Sequence, residues 1–299
     1  MEIIATLPPP HLTRIKGVAT NPNIDMFRFN TGAKTPWTPE ETLKKMLEYV
    51  SKEKLWLDLK GRQLRIAHWS MYPYGDIILT RDIKVDLPAT IYLRNDDVCT
   101  IIERQGRKIF VDPAPRYTVG EGQAINIHGD DFEVLGEYLT DIDKQYIEAA
   151  NKFEVHKYML SFLEKPEDIM EVLALDTNAE ICGKIESIQG LDFINKPFYL
   201  NNGTSSIRLL AARDDLFTNI GSNKKDMFEA LKLIIKRNPE AIVASKILTS
   251  FYRHNELSFT DLSDVYLMQE MGYKSFMLGD EVSFNINAFN QAVSILKSF

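Results

Sequence analysis

Cysteine, clustered histidine, net positive charge and long apolar runs are all scarce in this sequence, and each shortage removes a class of function. The two cysteines, Cys99 and Cys182, lie far apart in the chain, which excludes a disulfide framework and a paired-cysteine metal site. His11, His68, His128, His156 and His254 show no metal-ligand spacing, and neither a Gly-x-Ser-x-Gly turn nor a Walker-type glycine-rich loop occurs. The five histidines read as structural or surface residues. With 35 Lys+Arg against 42 Asp+Glu the formal charge is -7, so nucleic acid and anionic membranes, which need a basic surface, are not expected partners. No apolar stretch approaches the roughly 18 residues of a membrane span. The opening MEIIATLPPPH has no basic leader. The expectation is a soluble, reduced, cytoplasmic protein.

What the sequence does hold is a large apolar fraction, 44% of 299 residues, arranged as short runs alternating with amphipathic stretches. Eight runs rich in Ile, Leu, Val and Phe read as strands, at 2–7, 25–31, 55–60, 157–162, 180–186, 207–213, 241–247 and 275–278. Helical periodicity fills the gaps, most clearly at 39–53, 140–153, 166–175, 224–237, 260–271 and 287–299. Thr38-Pro39-Glu40-Glu41 has the form of a helix start, and Thr260 or Ser258 is placed to cap a later helix. One segment breaks the alternation. From Ala67 to about Gly136, short β-type runs are separated by the turn signals Asn95-Asp96-Asp97, Gln105-Gly106 and Gly120-Glu121-Gly122. Residues 67–137 therefore read as a small inserted β-domain, a lid, after the third strand. Residues 1–66 and 138–299 then form an α/β fold of the (β/α)8 TIM-barrel type, near the short end of the roughly 200 to 400 residues usual for such barrels. An open doubly wound sheet beside a β-domain is the structural alternative.

Polar residues recur at the carboxyl ends of the strand runs, where such a barrel builds its active site. Arg28 and Asn30 share one face of the second run by their i,i+2 spacing. Asp58 and Lys60 end the third run, with Arg65 close behind. Lys184 and Glu186 end the fifth, Arg213-Asp214-Asp215 the sixth, and Ser245-Lys246 falls late on the seventh. Glu186 and Asp215, from neighbouring strands, form a pair able to chelate a hard dication such as Mg2+ or Mn2+. Each residue alone also has a plainer reading. Asp58 can cap a loop, Ser245 can be a core hydroxyl, Asp214-Asp215 can start a helix, and a lone Arg or Lys is commonly solvated or paired. Convergence of charge at one end of four strands favours the functional alternative.

These residues, in order, resemble the pyruvate kinase family. Ile4-Ala5-Thr6-Leu7-Pro8 is similar to "CTIGP" and Arg28-Phe29-Asn30 to "R-x-N". Leu57-Asp58-Leu59-Lys60-Gly61-Arg62-Gln63-Leu64-Arg65 is similar to "LDTKGPEIR", and Leu160-Ser161-Phe162 to "ASF". Gly183-Lys184-Ile185-Glu186-Ser187 resembles "SKIEN", Ala212-Arg213-Asp214-Asp215-Leu216 "ARGDL", Ala244-Ser245-Lys246-Ile247-Leu248 "ATQML", and Met277-Leu278-Gly279-Asp280-Glu281 "MLSGE". The resemblance covers the barrel well and the lid poorly, and the sequence stops where the family's C-terminal regulatory domain begins. It implies a glycolytic-type kinase acting on phosphoenolpyruvate and pyruvate through a metal-bound enolate. Glu186 and Asp215 would hold Mg2+ or Mn2+. Lys184 and Arg28 would stabilise charge on the phosphoryl group and the enolate, and Ser245, in place of the family's Thr, would help place the proton donor. Asn30 and Asp58 would lie on the monovalent-cation side. Lys60, Arg65, Arg213 and Asp214 complete the implied binding set, with Arg65 on phosphate.

The departures from the family pattern cluster on one side of that chemistry. Gly32, Leu59 and Gln63 replace residues on the K+ side, which places K+ dependence in question. Asp214 stands where the family has the Gly that receives the substrate carboxylate. Pro9-Pro10-His11, Ala33 and Gly120-Glu121-Gly122-Gln123 replace nucleotide-contacting positions, so use of ADP or ATP is the weakest implication. Two alternatives to a phosphotransferase therefore stand: a metal-dependent lyase or aldolase of the same barrel group working without nucleotide, and a non-catalytic barrel that binds a small acid. The oligomeric state is left open, a homo-oligomer included.

Overall fold

In the computed structural model, which describes residues 1–68, 77–93, 97–129, 131–196 and 207–299, the eight strand candidates pair in parallel and close into one barrel. The strands are Glu2–Thr6, Met26–Asn30, Leu55–Leu59, Lys157–Leu160, Glu180–Ile185, Arg208–Ala212, Ile242–Ala244 and Ser275–Leu278. Each bonds its sequence neighbours in this series, and the eighth returns to the first with Glu2 opposite Ser275. This is the (β/α)8 barrel expected from the alternation. The barrel unit comprises Met1–Gly61 and Leu139–Phe299; a second unit spans Arg62–Tyr138. Among the described residues no helix is long and apolar enough to cross a membrane.

Period-two alternation stacks the inward side chains in tiers. The middle tier is apolar: Ile4, Trp56, Met159, Cys182, Leu210, Ile242 and Met277 pack as one buried cluster, with Met26 against it. One step toward the strand N-termini, Arg208 binds both oxygens of Glu2 and donates to Ser275 Oγ at 2.7 Å. One step toward the C-termini stand Thr6, Arg28, Asp58, Ser161 and Lys184, at the same phase as the core residues two positions before them.

The helices begin where capping chemistry allows. Thr38 and Glu41 form a reciprocal cap on Pro39–Met46, Thr140 and Asp143 one on Asp141–Lys152, and Ser258 accepts from Asp261 N at 3.0 Å to start Phe259–Glu270. Pro166–Leu175, Asp226–Arg237 and Ile286–Ser298 lie within two residues of expectation. The first long helix is shorter than its pattern: it stops at Met46, and buried Val50 donates back to Met46 O as the chain turns toward Leu55. The seventh strand is also shorter, ending at Ala244, because Ser245, Lys246 and Leu248 adopt positive φ of 73°, 57° and 53°, which no strand accommodates.

The second unit carries a five-stranded antiparallel sheet in the order Ile77–Ile78, Lys108–Asp112, Val98–Gln105, Ala89–Tyr92, Asn126–His128. Leu64, Ile66, Leu79, Ile91, Ile101 and Ile109 belong to its own buried core. Gly106, at φ 57°, turns the hairpin between the two longest strands. A two-stranded pair, Ile83–Lys84 with Glu133–Val134, is too short to show in the sequence pattern. Of the turn signals, Asn95 and Asp96 lie outside the described residues.

Candidate active site

Asp58 is the hub of the barrel mouth. It is fully buried, and its two oxygens are approached by three cations. Oδ2 accepts from Arg28 Nε at 2.9 Å and from Arg28 Nη2, and lies 4.0 Å from Lys60 Nζ. Oδ1 lies 3.4 Å from Lys184 Nζ and 3.3 Å from the Ser161 hydroxyl. Burial pushes the Asp58 carboxyl up, but Lys184, Lys60 and Arg28 outweigh it and hold the group well below the usual carboxylate range. The third strand delivers Asp58 inward because Trp56, two residues earlier, is part of the core tier.

Lys184 is equally confined. Its ammonium donates to Ser161 Oγ at 2.9 Å and contacts Glu186 Oε1 at 3.0 Å. Burial alone lowers a lysine; here Asp58 and Glu186 reverse the sign and keep it charged. Glu186, just past the fifth strand, accepts the Phe162 N–H at 2.7 Å on Oε2. Phe162 presents that N–H from a left-handed conformation, φ 51°. Oε1 is buried and, although it is ion-paired with Lys184 at 3.0 Å, accepts no hydrogen bond. Burial first, then the charges of Asp215 and Asp58, raise the Glu186 carboxyl to about 7 against the pull of Lys184 and the Phe162 N–H.

That donor set fits a divalent cation. A buried carboxylate oxygen lacking a donor, with a second acid acting on it, Asp215 of the helix Arg213–Asn219 and not of the strand before it, is what a hard ion that takes one or two carboxylates and leaves its other positions to small oxygens requires. Among the described residues no three His, Cys, Asp or Glu side chains form a ready-made metal cage, so small-molecule oxygens would have to complete the shell.

The remaining expected residues are placed differently from one another. Arg28 reaches the hub, but its Nη1 also donates to Thr6 Oγ1 at 3.2 Å and to Asp280 Oδ1 at 2.8 Å. Asn30 ends the second strand and accepts from Gly32 N at 3.0 Å. Arg213 makes a two-pronged bond to Asp264, at 2.6 and 2.8 Å, and donates to the carbonyls of Ala244 and Ser245. Its position ties the sixth and seventh strand ends to the Phe259–Glu270 helix. Asp214 is exposed and pairs with Lys246 at 3.2 Å. Ser245 is half-buried at the end of the seventh strand, its carbonyl held by Arg213. Arg65 belongs to the second unit, where it donates to Gly122 O at 2.6 Å and to Gln63. Sequence reasoning did not single out Thr6, Ser161 and Asp280 as site residues. The first two occupy the inward phase above a core residue, and Asp280 follows the eighth strand, so the rule of charged strand ends would reach it if extended to that strand.

No protein-family model matches the chain. Three curated relatives, each named pyruvate kinase, are similar to it. That of Thermotoga maritima is 24% identical over 64% of this chain and 38% of its own length. That of Borreliella burgdorferi is 22% identical over 99% of this chain and 67% of its own. That of Clostridium perfringens is 24% identical over 75% and 52%. The chain thus spans between 38% and 67% of the relatives it matches, and it is similar to pyruvate kinases at low identity.

Proposed function

We propose that the barrel binds a small 2-oxo acid of the pyruvate type and moves a proton at the carbon beside its carbonyl, the enolate half of a pyruvate kinase-like reaction. The observation that carries this reading is the Lys184 ammonium, buried and fixed by Ser161 between the carboxylates of Asp58 and Glu186. An enolate concentrates negative charge on one oxygen, and a preoriented ammonium in a site with little water stabilises that charge without reorganising. Lys184 stays protonated between its two acids, so it serves as an electrostatic partner and not as the base. Glu186 and Asp215 would hold Mg2+ or Mn2+, which when bound supplies Lewis-acid polarisation of the acid's oxygens. In this reading the Ser245 hydroxyl, beyond the seventh strand, helps place the solvent water that takes the proton from that carbon and returns one to it. Phosphoryl transfer from phosphoenolpyruvate to a nucleotide, the kinase reaction implied by the sequence resemblance, is the second reading. Its support is the similarity to three proteins named pyruvate kinase.

Exchange of pyruvate methyl protons in D2O, with Mn2+ or Mg2+, is the direct test. Wild-type protein is expected to exchange, and Lys184→Met and Glu186→Gln to lose about 100-fold or more, the scale of removing one transition-state donor. A wild type that exchanges no protons would sink the proposal. ADP-stimulated release of pyruvate from phosphoenolpyruvate would establish the second reading instead.

A further inference from the structure

The barrel mouth is short of positive charge for a phosphorylated ligand. Arg28, Lys60 and Lys184 converge on Asp58, while Asp280, Glu186 and Asp215 act on the same cations or on one another. Three cations thus meet four acids. With all ionised, these barrel residues carry one net negative charge, and a divalent cation on Glu186 and Asp215 turns that into one net positive charge. A single carboxylate matches this surplus. A phosphate monoester adds roughly 1.5 to 2 further negative charges at pH 7, and nothing in this group balances them.

Asp280 sets that balance. It opens the short helix Asp280–Ser283 directly after the eighth strand and accepts from Arg28 Nη1 at 2.8 Å. A guanidinium has five N–H groups, and Arg28 directs four contacts at protein: two to Asp58, one to Thr6 and one to Asp280. No parallel pair remains for the two-pronged grip that phosphate recognition uses. Of the two partners, Arg28 is 12% exposed and Asp280 45%, so only the acid has room to swing away. A second acid at the mouth, Asp214, has likewise taken a cation, Lys246 at 3.2 Å.

We infer that Asp280 is a specificity-determining residue: by occupying Arg28 it makes the mouth select a 2-oxo acid with a lone carboxylate over the phosphorylated enol of the same acid. The inference rests on the functional reading above. Its test is the ratio of affinities of the full chain, loaded with Mn2+, for pyruvate and phosphoenolpyruvate, measured by calorimetry, with D2O exchange followed in parallel. Wild type is expected to favour pyruvate by about ten-fold or more. Asp280→Asn and Asp280→Gly are expected to shift the ratio about ten-fold toward phosphoenolpyruvate, and Asp280→Glu, which keeps the charge, to retain the wild-type preference. A merely structural acid would move both affinities together. A ratio unchanged in Asp280→Asn and Asp280→Gly, or a wild type that prefers phosphoenolpyruvate, overturns the inference while proton exchange persists. A wild type with neither exchange nor pyruvate binding overturns the functional reading along with it.

Discussion

Glu186 holds its proton to about 7 because burial, Asp215 and Asp58 together work against its charge. Its ordinary value is 4.5, so between these two pH values the unfolded chain has lost a proton that the folded chain keeps. Stability of the metal-free protein is therefore expected to fall as pH rises from 4.5 to about 7 and then to level off, by on the order of 3 kcal/mol in all. Urea unfolding across that range measures it, and Glu186→Gln should flatten the slope. Asp58 behaves oppositely: its depressed carboxyl contributes stability above the ordinary value of 3.8, lost only as pH drops below it. The two windows do not overlap. A cation that engages Glu186 must also displace its proton, so Mn2+ binding at pH 6 should release close to one proton, and at pH 8.5 almost none. Calorimetry in buffers of different ionisation heat reads this, and equal release at both pH values would contradict the assignment. Arg28, Asp58, Lys184 and Glu186 were legible as mouth residues because each stands at a strand's carboxyl end in the inward phase. Their partners were not. The Arg28–Asp280 bond joins residues 252 apart and the Arg213–Asp264 bond residues 51 apart, and no local pattern marks which acid a given arginine will meet.

The strands and most helices were readable for the same physical reason: burial on one face imposes a period. Where that period conflicts with backbone geometry, the reading overshoots, as at Ser245 and Lys246, whose apolar neighbours continue the strand pattern while their left-handed φ ends the strand. Asp143 shows what an element contributes beyond its period. It caps the Asp141–Lys152 helix through Thr140 N at 3.1 Å, and the same carboxylate accepts Lys60 N at 2.8 Å and Gly61 N at 3.1 Å. The helix start thereby fixes the backbone that carries Lys60 to the hub. Asp143→Ala removes the reciprocal half of the cap and leaves the Thr140, Lys60 and Gly61 N–H groups without this acceptor, a loss expected to cost about 2–4 kcal/mol in urea unfolding. Exchange activity should decline as well, since Lys60 loses its anchor. A variant as stable as wild type would show that the three bonds contribute nothing.

Across the whole barrel, two ionic clusters occupy opposite ends, the one around Asp58 and the one around Glu2. At the strand N-termini Arg208, Glu2 and Ser275 close the floor; burial raises the Glu2 carboxyl, and its bonds to Arg208 and Ser275 reverse the shift. Arg208→Ala leaves Glu2 half-buried without its cation and is expected to destabilise the protein by about 1–3 kcal/mol while proton exchange per folded molecule stays at the wild-type rate. A matching fall in exchange would mean that the floor and the mouth are coupled. The clasp made by Asp143 has a further consequence at this scale. Gly61 is the last barrel residue before the chain departs and Thr140 sits just after its return, yet one side chain grips both. Exit and re-entry are thus stapled together by the first turn of the Asp141–Lys152 helix, so the two chain ends that bound the interruption are held by the barrel unit's own residues.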